Sequence, residues 1–113
     1  MQRAMIHSAA MHVPRRLVTN EYFNELYKKD IDSFLRKERN IFQRYFMAAD
    51  ETTSDLILPA AKEAIANAGI TANDLDLIII ATDTPDFISP STASVVQHKL
   101  DAKRAGIFDL NSA

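Results

Sequence analysis

Between Leu75 and Thr82 the chain carries an apolar run, rich in β-branched residues, that does not alternate with polar ones. A strand covered on both faces has this pattern, whereas a strand with one face in water alternates. The apolar part of the run is far too short to span a bilayer. Helical spacing of apolar residues precedes and follows it. The sequence therefore predicts an α/β sandwich with a mostly parallel central sheet and covering helices.

The other elements are predicted from apolar spacing and from capping residues. Pro59 lies inside the longest predicted helix, where it removes the bond to the carbonyl of Asp55; we expect a kink there, with the helix remaining one element that ends at Gly69. In chain order the predictions are a strand from Ala4 to Val13, a helix capped at Thr19-Asn20 and running to Lys29, a short helix from Asp30 to a left-handed Asn40, a strand over 43–48, the long Ala-rich helix after the capping cluster 51–55, the strand over 75–82, a helix from Ser91 to about Lys99, and a strand over 106–111.

Composition excludes several classes of function. The 113 residues have a net charge of −2, which gives no overall positive field for nucleic acid or an anionic membrane. The two glycines, Gly69 and Gly106, are too far apart to form a phosphate-binding glycine loop. The chain has no cysteine, so disulfides, thiolate metal sites and a cysteine nucleophile are excluded within it. We expect no metal and no cofactor. Since no signal-peptide core follows Arg3, we expect a cytoplasmic location.

Five segments, in one order, carry a family resemblance. They are DETTSDL at 50–56, AIANAGI at 64–70, DLIIIATDTPD at 76–86, PSTA at 90–93 and FDLNSA at 108–113. Together they resemble the N-terminal half of beta-ketoacyl-acyl-carrier-protein synthase III, in register from about Val13-Pro14 to the last residue. The resemblance implies a thiolase-like fold, of which residues 1–113 would be the N-terminal half-domain.

The resemblance also implies a reaction. Family members condense an acyl thioester with malonyl-carrier protein in fatty acid biosynthesis, using a Cys, a His and an Asn. The Cys would directly follow Ala113, and the other two would come from the second half, so no catalytic residue is expected within this chain. His7, His12 and His98 match no catalytic motif. The implied partners are acyl-carrier protein, coenzyme A thioesters and a second copy of the chain, and we expect 1–113 alone to be inert.

The resemblance implies a substrate-binding role for two residues, Phe34 and Arg44. At position 34 the family has an aromatic residue, usually Trp, that stacks on the adenine of coenzyme A. Arg44 ends a motif in which Asn40 replaces the family's Gly, and Glu38 replaces an Arg. Phe is a weaker stacking surface than Trp, and Glu38 would repel a phosphate. These departures favour an acyl donor other than acetyl-coenzyme A. The alternative for Phe34, a core residue of an amphipathic helix, stays open.

Charge between Lys28 and Arg44 is locally positive, with six basic residues against three acidic ones. Such a face would attract an acidic carrier protein or a coenzyme A phosphate, or it is simply a solvated surface. Asp83 and Asp86 raise the alternative of a phosphoacceptor receiver domain, but the acidic pair that this fold needs is missing between Met5 and Val13. A binding or scaffolding half-domain that pairs with a separate chain remains a second alternative.

We also expect self-association. Without a second half, small apolar residues on the long helix, Ala60, Ala64 and Ala68, would remain uncovered, and so would strand edges. Uncovered apolar patches and unpaired edges both drive association. The sequence therefore predicts a symmetric dimer or a higher assembly.

Overall fold

The strands of this protein pair two by two. A computed structural model describes residues 3–111 as two units, one formed by 13–51 and the other by 3–12 with 52–111. The elements are β1 (Arg16–Thr19), α1 (Asn20–Tyr27), α2 (Asp32–Arg39), β2 (Gln43–Phe46), α3 (Thr53–Asn67), a 3-10 turn (Ala72–Asp74), β3 (Leu77–Ala81), α4 (Thr92–Leu100) and β4 (Gly106–Leu110).

The unit 13–51 is a two-stranded antiparallel sheet with two helices between its strands. Arg16 lies opposite Phe46 and Val18 opposite Arg44, and Val18 is buried. Both helices end at residues in the left-handed conformation, Lys28 and Asn40, so the predicted stop at Asn40 is confirmed. The predictions of α1, α2 and β2 are confirmed. The strand β1 was not predicted, because its four residues, RLVT, carry too little apolar pattern to be recognised.

The second unit contains the parallel pair, β3 and β4, in which Ile78 is in register with Ile107. Helix α4 connects the two strands and packs on both of them, as expected for a parallel crossover. Ile57 and Leu58 of α3 pack against the same core. The buried apolar residues of this unit form one cluster: Ile78, Ile80, Ala93, Val96, Ala102 and Ala105.

Helix α3 is continuous from Thr53 to Asn67 with Pro59 inside it, so the prediction of one element is confirmed. Its first turn is fixed by a capping box, in which the Thr52 hydroxyl accepts from the Asp55 amide and the Asp55 carboxylate accepts from the Thr52 amide. After the helix, Gly69 adopts φ +69°, a conformation that glycine reaches without steric cost. The chain can therefore turn sharply into the segment before β3.

The prediction that β3 is covered on both faces is wrong for the part of the chain that the structure describes. Ile78 and Ile80 are buried, whereas Leu77 and Ile79 are each about half exposed. The reason is that α3 and α4 both pack on the side of Ile78 and Ile80. The opposite side presents an open apolar face, formed by Leu77, Ile79, Phe108 and Leu110.

The predicted strand from Ala4 to Val13 is also wrong, since no strand occurs between residues 3 and 14. A strand needs a ladder of backbone hydrogen bonds to a neighbour, and apolar character alone does not supply one. The large apolar residues of this segment, Met5, Ile6 and Met11, are exposed. A side-chain bond ties the segment to α3, in which the Ser8 hydroxyl donates to the Ala64 carbonyl over 2.7 Å. None of the helices in residues 3–111 is long and apolar enough to cross a membrane.

Candidate binding site

Phe34 lies on α2 with its ring about half exposed, so its interpretation as a core residue is wrong. The Arg39 guanidinium carbon lies 5.7 Å from the centroid of this ring, within cation–π range. Both residues belong to α2, and both are exposed. An accessible aromatic ring with a guanidinium beside it can hold a planar, anionic ligand.

Arg44 lies on β2, partly buried, and its guanidinium is held by neutral groups. Its Nη2 donates to the Oδ1 of Asn20, and its Cζ lies 4.4 Å from the centroid of the Phe23 ring. No carboxylate within residues 3–111 forms an ion pair with it. Its positive charge is therefore not cancelled by a direct contact inside the unit.

Asn20 is the residue that sequence reasoning missed. It was expected only as part of a helix cap, but Thr19 occupies the cap position, and Asn20 is the fully buried first residue of α1. Besides accepting from Arg44, its Nδ2 donates to Asp32 Oδ1 over 2.9 Å and to the Ile41 carbonyl over 2.7 Å. The sequence signal that points to this role is weak, because a polar residue after Thr19 is equally typical of a cap.

The carboxylate of Asp32 is matched by Arg36, one helical turn later. Arg36 Nε lies 2.7 and 2.8 Å from the two oxygens of Asp32, and Arg36 also lies 3.9 Å from Glu21. The hydrogen bond from Asn20, and next the contact with Arg36, hold the pKa of Asp32 below its ordinary value. The charges of Asp32 and Arg36 thus balance each other within α2.

This arrangement predicts that the unit loses stability in acid. Because the pKa of Asp32 is lowered in the folded state, its contribution is present above its unfolded pKa, near 3.9, and is lost as the pH falls through the lower folded value. The wild-type chain should be more stable than Asp32→Asn at neutral pH, and the difference should vanish in acid. Arg36→Gln keeps the Asn20 hydrogen bond and should show a weaker pH dependence. Denaturant unfolding between pH 2 and 7 measures this, and a constant difference between wild type and Asp32→Asn would contradict it.

The structure does not join the two predicted binding residues by a direct contact. Phe34 has Arg39 as its cation–π neighbour, and Arg44 has Asn20 and Phe23. Of the predicted basic cluster, Arg36 is paired with acidic residues. In residues 3–111 no ion pair involves the other basic side chains of this stretch, which are Lys28, Lys29, Lys37, Arg39 and Arg44. The locally positive charge therefore remains after the internal ion pairs are counted.

In the other unit, two aspartates bind the N-termini of helices. Asp109, near the end of β4, accepts from the Thr92 and Ala93 amides over 2.7 Å each. Asp86 accepts from the Ser54 amide of α3 over 2.9 Å, and its own amide donates to the Thr92 hydroxyl over 3.1 Å. Asp86 is thus a structural residue of the loop, which weighs against a phosphoacceptor site. Within residues 3–111, no group of three or more His or acidic residues could hold a metal ion.

An open cavity of about 520 Å³ lies at the carboxyl ends of β3 and β4. Ligands of parallel α/β sheets commonly bind at this end of the strands. Its wall combines apolar side chains with Asp109, whose carboxylate is already engaged by α4. The lining residues are Thr82, Pro85, Phe87, Ile88, Ser91, Ile107, Phe108, Asp109 and Asn111.

Comparison with known proteins gives matches along the whole chain. No protein-family model matches it. The beta-ketoacyl-[acyl-carrier-protein] synthase III of Clostridium perfringens is 44% identical over 113 residues, which is all of this chain and 34% of that protein. The corresponding protein of Ehrlichia canis is 41% identical over 112 residues, 99% of this chain and 35% of that protein. The crystal structure of 3-oxoacyl-[acyl-carrier-protein] synthase III from Aquifex aeolicus VF5 superposes with a TM-score of 0.89 at 33% identity, over 96% of this chain and 34% of that one.

The two units and their likeness to that crystal structure define a thiolase-like α/β fold, which confirms the predicted α/β class. The predicted central, mostly parallel sheet is not formed by residues 3–111, whose strands make one antiparallel pair and one parallel pair in two separate sheets. Over its whole length the chain is related to the beta-ketoacyl-[acyl-carrier-protein] synthase III family and resembles the N-terminal part of its members. The resemblance first seen in the five sequence segments is therefore confirmed. The chain spans about a third of the length of the curated relatives it matches.

Proposed function

We propose that this chain is the N-terminal part of an acyltransferase that condenses an acyl thioester with malonyl-carrier protein in fatty acid biosynthesis. The observation that carries the proposal is the 44% identity to a beta-ketoacyl-[acyl-carrier-protein] synthase III over all 113 residues. A cytoplasmic location, a homodimer and a role for residues 1–113 as a half-domain without catalytic residues are part of the proposal.

The geometry at the end of β4 supports this reaction. In the proposed enzyme a cysteine follows Ala113, beyond the described residues, and its thiolate attacks the acyl thioester, so that coenzyme A leaves as a thiolate. Decarboxylation of the malonyl group then releases carbon dioxide, and the resulting carbanion attacks the acyl carbon and displaces the cysteine. The bonds from α4 to Asp109 fix the strand that leads to this point. The open cavity beside it has a mixed wall, and its apolar part, which includes Phe87, Ile88 and Phe108, could contact an acyl chain.

Phe34 and Arg44 are the proposed contacts to coenzyme A. The exposed Phe34 ring offers a stacking surface for adenine, and the unneutralised Arg44 guanidinium offers a partner for phosphate. Glu38 is exposed on the same helix as Phe34. Its negative charge would repel a phosphate, so this side chain is not among the proposed contacts to coenzyme A.

The proposal is tested by comparing the 113-residue chain with the full-length protein that its gene encodes. We expect malonyl-dependent condensation, followed with a series of acyl-coenzyme A donors, only from the longer protein. The 113-residue chain should be inactive and should not react with thiol reagents. Replacing the cysteine after Ala113 by alanine should abolish turnover. Condensation by the purified 113-residue chain, or a gene without cysteine at that position, would contradict the proposal.

A second candidate function is a non-catalytic half-domain that pairs with a separate chain. The open face formed by Leu77, Ile79, Phe108 and Leu110 favours this alternative, because half-exposed large apolar side chains on a sheet gain stability when another surface covers them. A stop codon after Ala113, together with co-purification of a second chain, would support it over the enzyme.

A further inference from the structure

The contacts of Arg44 are unusual for an arginine that only holds a fold together. Such an arginine is best paired with a carboxylate, which satisfies both its donors and its charge. Here the carboxylate of Asp32 shares a hydrogen-bond partner, Asn20, with Arg44, but the carboxylate itself is paired with Arg36. Arg44 instead donates to the neutral amide of Asn20 and lies over the Phe23 ring.

Asn20 has the donors and acceptors that this position needs, and an aspartate does not. Its Oδ1 accepts from Arg44, while its Nδ2 donates to Asp32 and to the Ile41 carbonyl. An aspartate at position 20 could accept from Arg44 but could not donate to either of the other two groups. It would also place a second negative charge beside Asp32 and neutralise Arg44.

Backbone geometry fixes the two residues relative to each other. Arg44 on β2 is in register with Val18 on β1, and Asn20 follows two residues later as the first residue of α1. Asn20 is fully buried, so its side chain has little freedom. Of the five N–H donors of a guanidinium, one is used by Asn20, and no other acceptor within residues 3–111 receives a hydrogen bond from Arg44.

We propose that Asn20 is a positioning residue, which fixes the Arg44 guanidinium against Phe23 without cancelling its charge, so that Arg44 can bind a phosphate of a coenzyme A thioester. The inference rests on the proposed function for the identity of the ligand. The role of Asn20 rests on the contacts alone. The sequence motif around Arg44 does not contain Asn20, which lies 24 residues earlier and enters the site through the pairing of β1 with β2.

The test uses the 113-residue chain with coenzyme A as the probe. NMR relaxation of the Arg44 Nε–Hε group reports how rigid the guanidinium is, and a titration reports the affinity. In wild type the group should be rigid before ligand is added. In Asn20→Ala it should become mobile, and the affinity should fall about tenfold, as in Arg44→Gln, because a guanidinium that is no longer held in place loses its hydrogen bond to the phosphate. The double variant should be no weaker than either single one.

Asn20→Asp separates the placement of the Arg44 guanidinium from its charge. The aspartate should keep Arg44 rigid, because it can still accept its hydrogen bond. The affinity for coenzyme A should still fall, because the aspartate neutralises Arg44. Asn67→Ala, at the exposed last residue of α3, is the matched control and should bind as wild type. Circular dichroism checks that each variant folds. Should both Asn20 variants unfold, the wild-type signal still decides, because a mobile Arg44 in wild type overturns the inference.

Wild-type affinity in Asn20→Ala, with a loss in Arg44→Gln, overturns the role of Asn20 and leaves the proposed function intact. Failure of wild type to bind coenzyme A at millimolar concentration overturns the coenzyme site of the proposed function and the ligand assigned to Arg44. The mobility of Arg44 in Asn20→Ala still shows in that case whether Asn20 fixes it.

Discussion

Replacing Ile80 by alanine is expected to lower the free energy of unfolding by about 2–5 kcal/mol, because it removes a buried side chain and leaves a cavity. Ile80 is 7% exposed and belongs to the cluster that β3 forms with α4. Ile79→Ala in the same strand is the matched control. Its side chain is 50% exposed on the open face, so the loss should be below about 1 kcal/mol. Urea unfolding of the two variants, at a concentration where the chain is monomeric, measures the difference.

The same pair of variants tests whether the open face is covered when two copies associate. If a second copy covers it, Ile79→Ala should weaken self-association in sedimentation. Ile80→Ala should instead lower the stability of the single chain. Equal losses of stability at Ile79 and Ile80 in the monomer would contradict the one-sided burial of β3. A chain that stays monomeric at high concentration would count against the proposed homodimer.

Ile79 and Ile80 also show what the sequence could predict of the fold. Their apolar run predicted the strand correctly, because no other short element accommodates consecutive β-branched residues as well. It could not reveal which face is covered, because both faces of the run are apolar and burial depends on where α3 and α4 pack. The predicted strand from Ala4 to Val13 failed for a related reason. Strand formation requires a pairing partner, and the composition of one segment does not specify it.

The candidate site was predictable only where a motif marks it. Phe34 and Arg44 occupy positions that the family resemblance assigns to ligand binding, and that assignment remains a prediction. Asn20 could not be recognised, because its role depends on Arg44 and Asp32, which lie 24 and 12 residues away in the sequence. Buried polar residues that bridge distant groups carry no local pattern. They become visible only when the hydrogen bonds are traced in three dimensions.

Asp109 is such a residue in the other unit. Replacing it is expected to cause the second large loss of stability. Its two carboxylate oxygens accept from the amides of Thr92 and Ala93 at the start of α4, where the helix has no backbone acceptors of its own. The negative charge also interacts favourably with the helix dipole. Because Thr92 and Ala93 are completely buried, water has little access to these amides once the carboxylate is gone.

Asp109→Ala should therefore lower the free energy of unfolding by about 3 kcal/mol, the scale of two hydrogen bonds to a charged group less partial compensation by water. Asp109→Asn keeps one acceptor and should lose about half as much. Asp83→Asn, in the exposed loop after β3, has no such contact and should change stability by less than about 0.5 kcal/mol. Hydrogen exchange should show faster exchange of the Thr92 and Ala93 amides in Asp109→Ala than in Asp83→Asn. If the two variants exchange alike, the carboxylate does not hold the start of α4 to the end of β4, and the proposed reaction loses the contact that fixes the strand leading to its nucleophile.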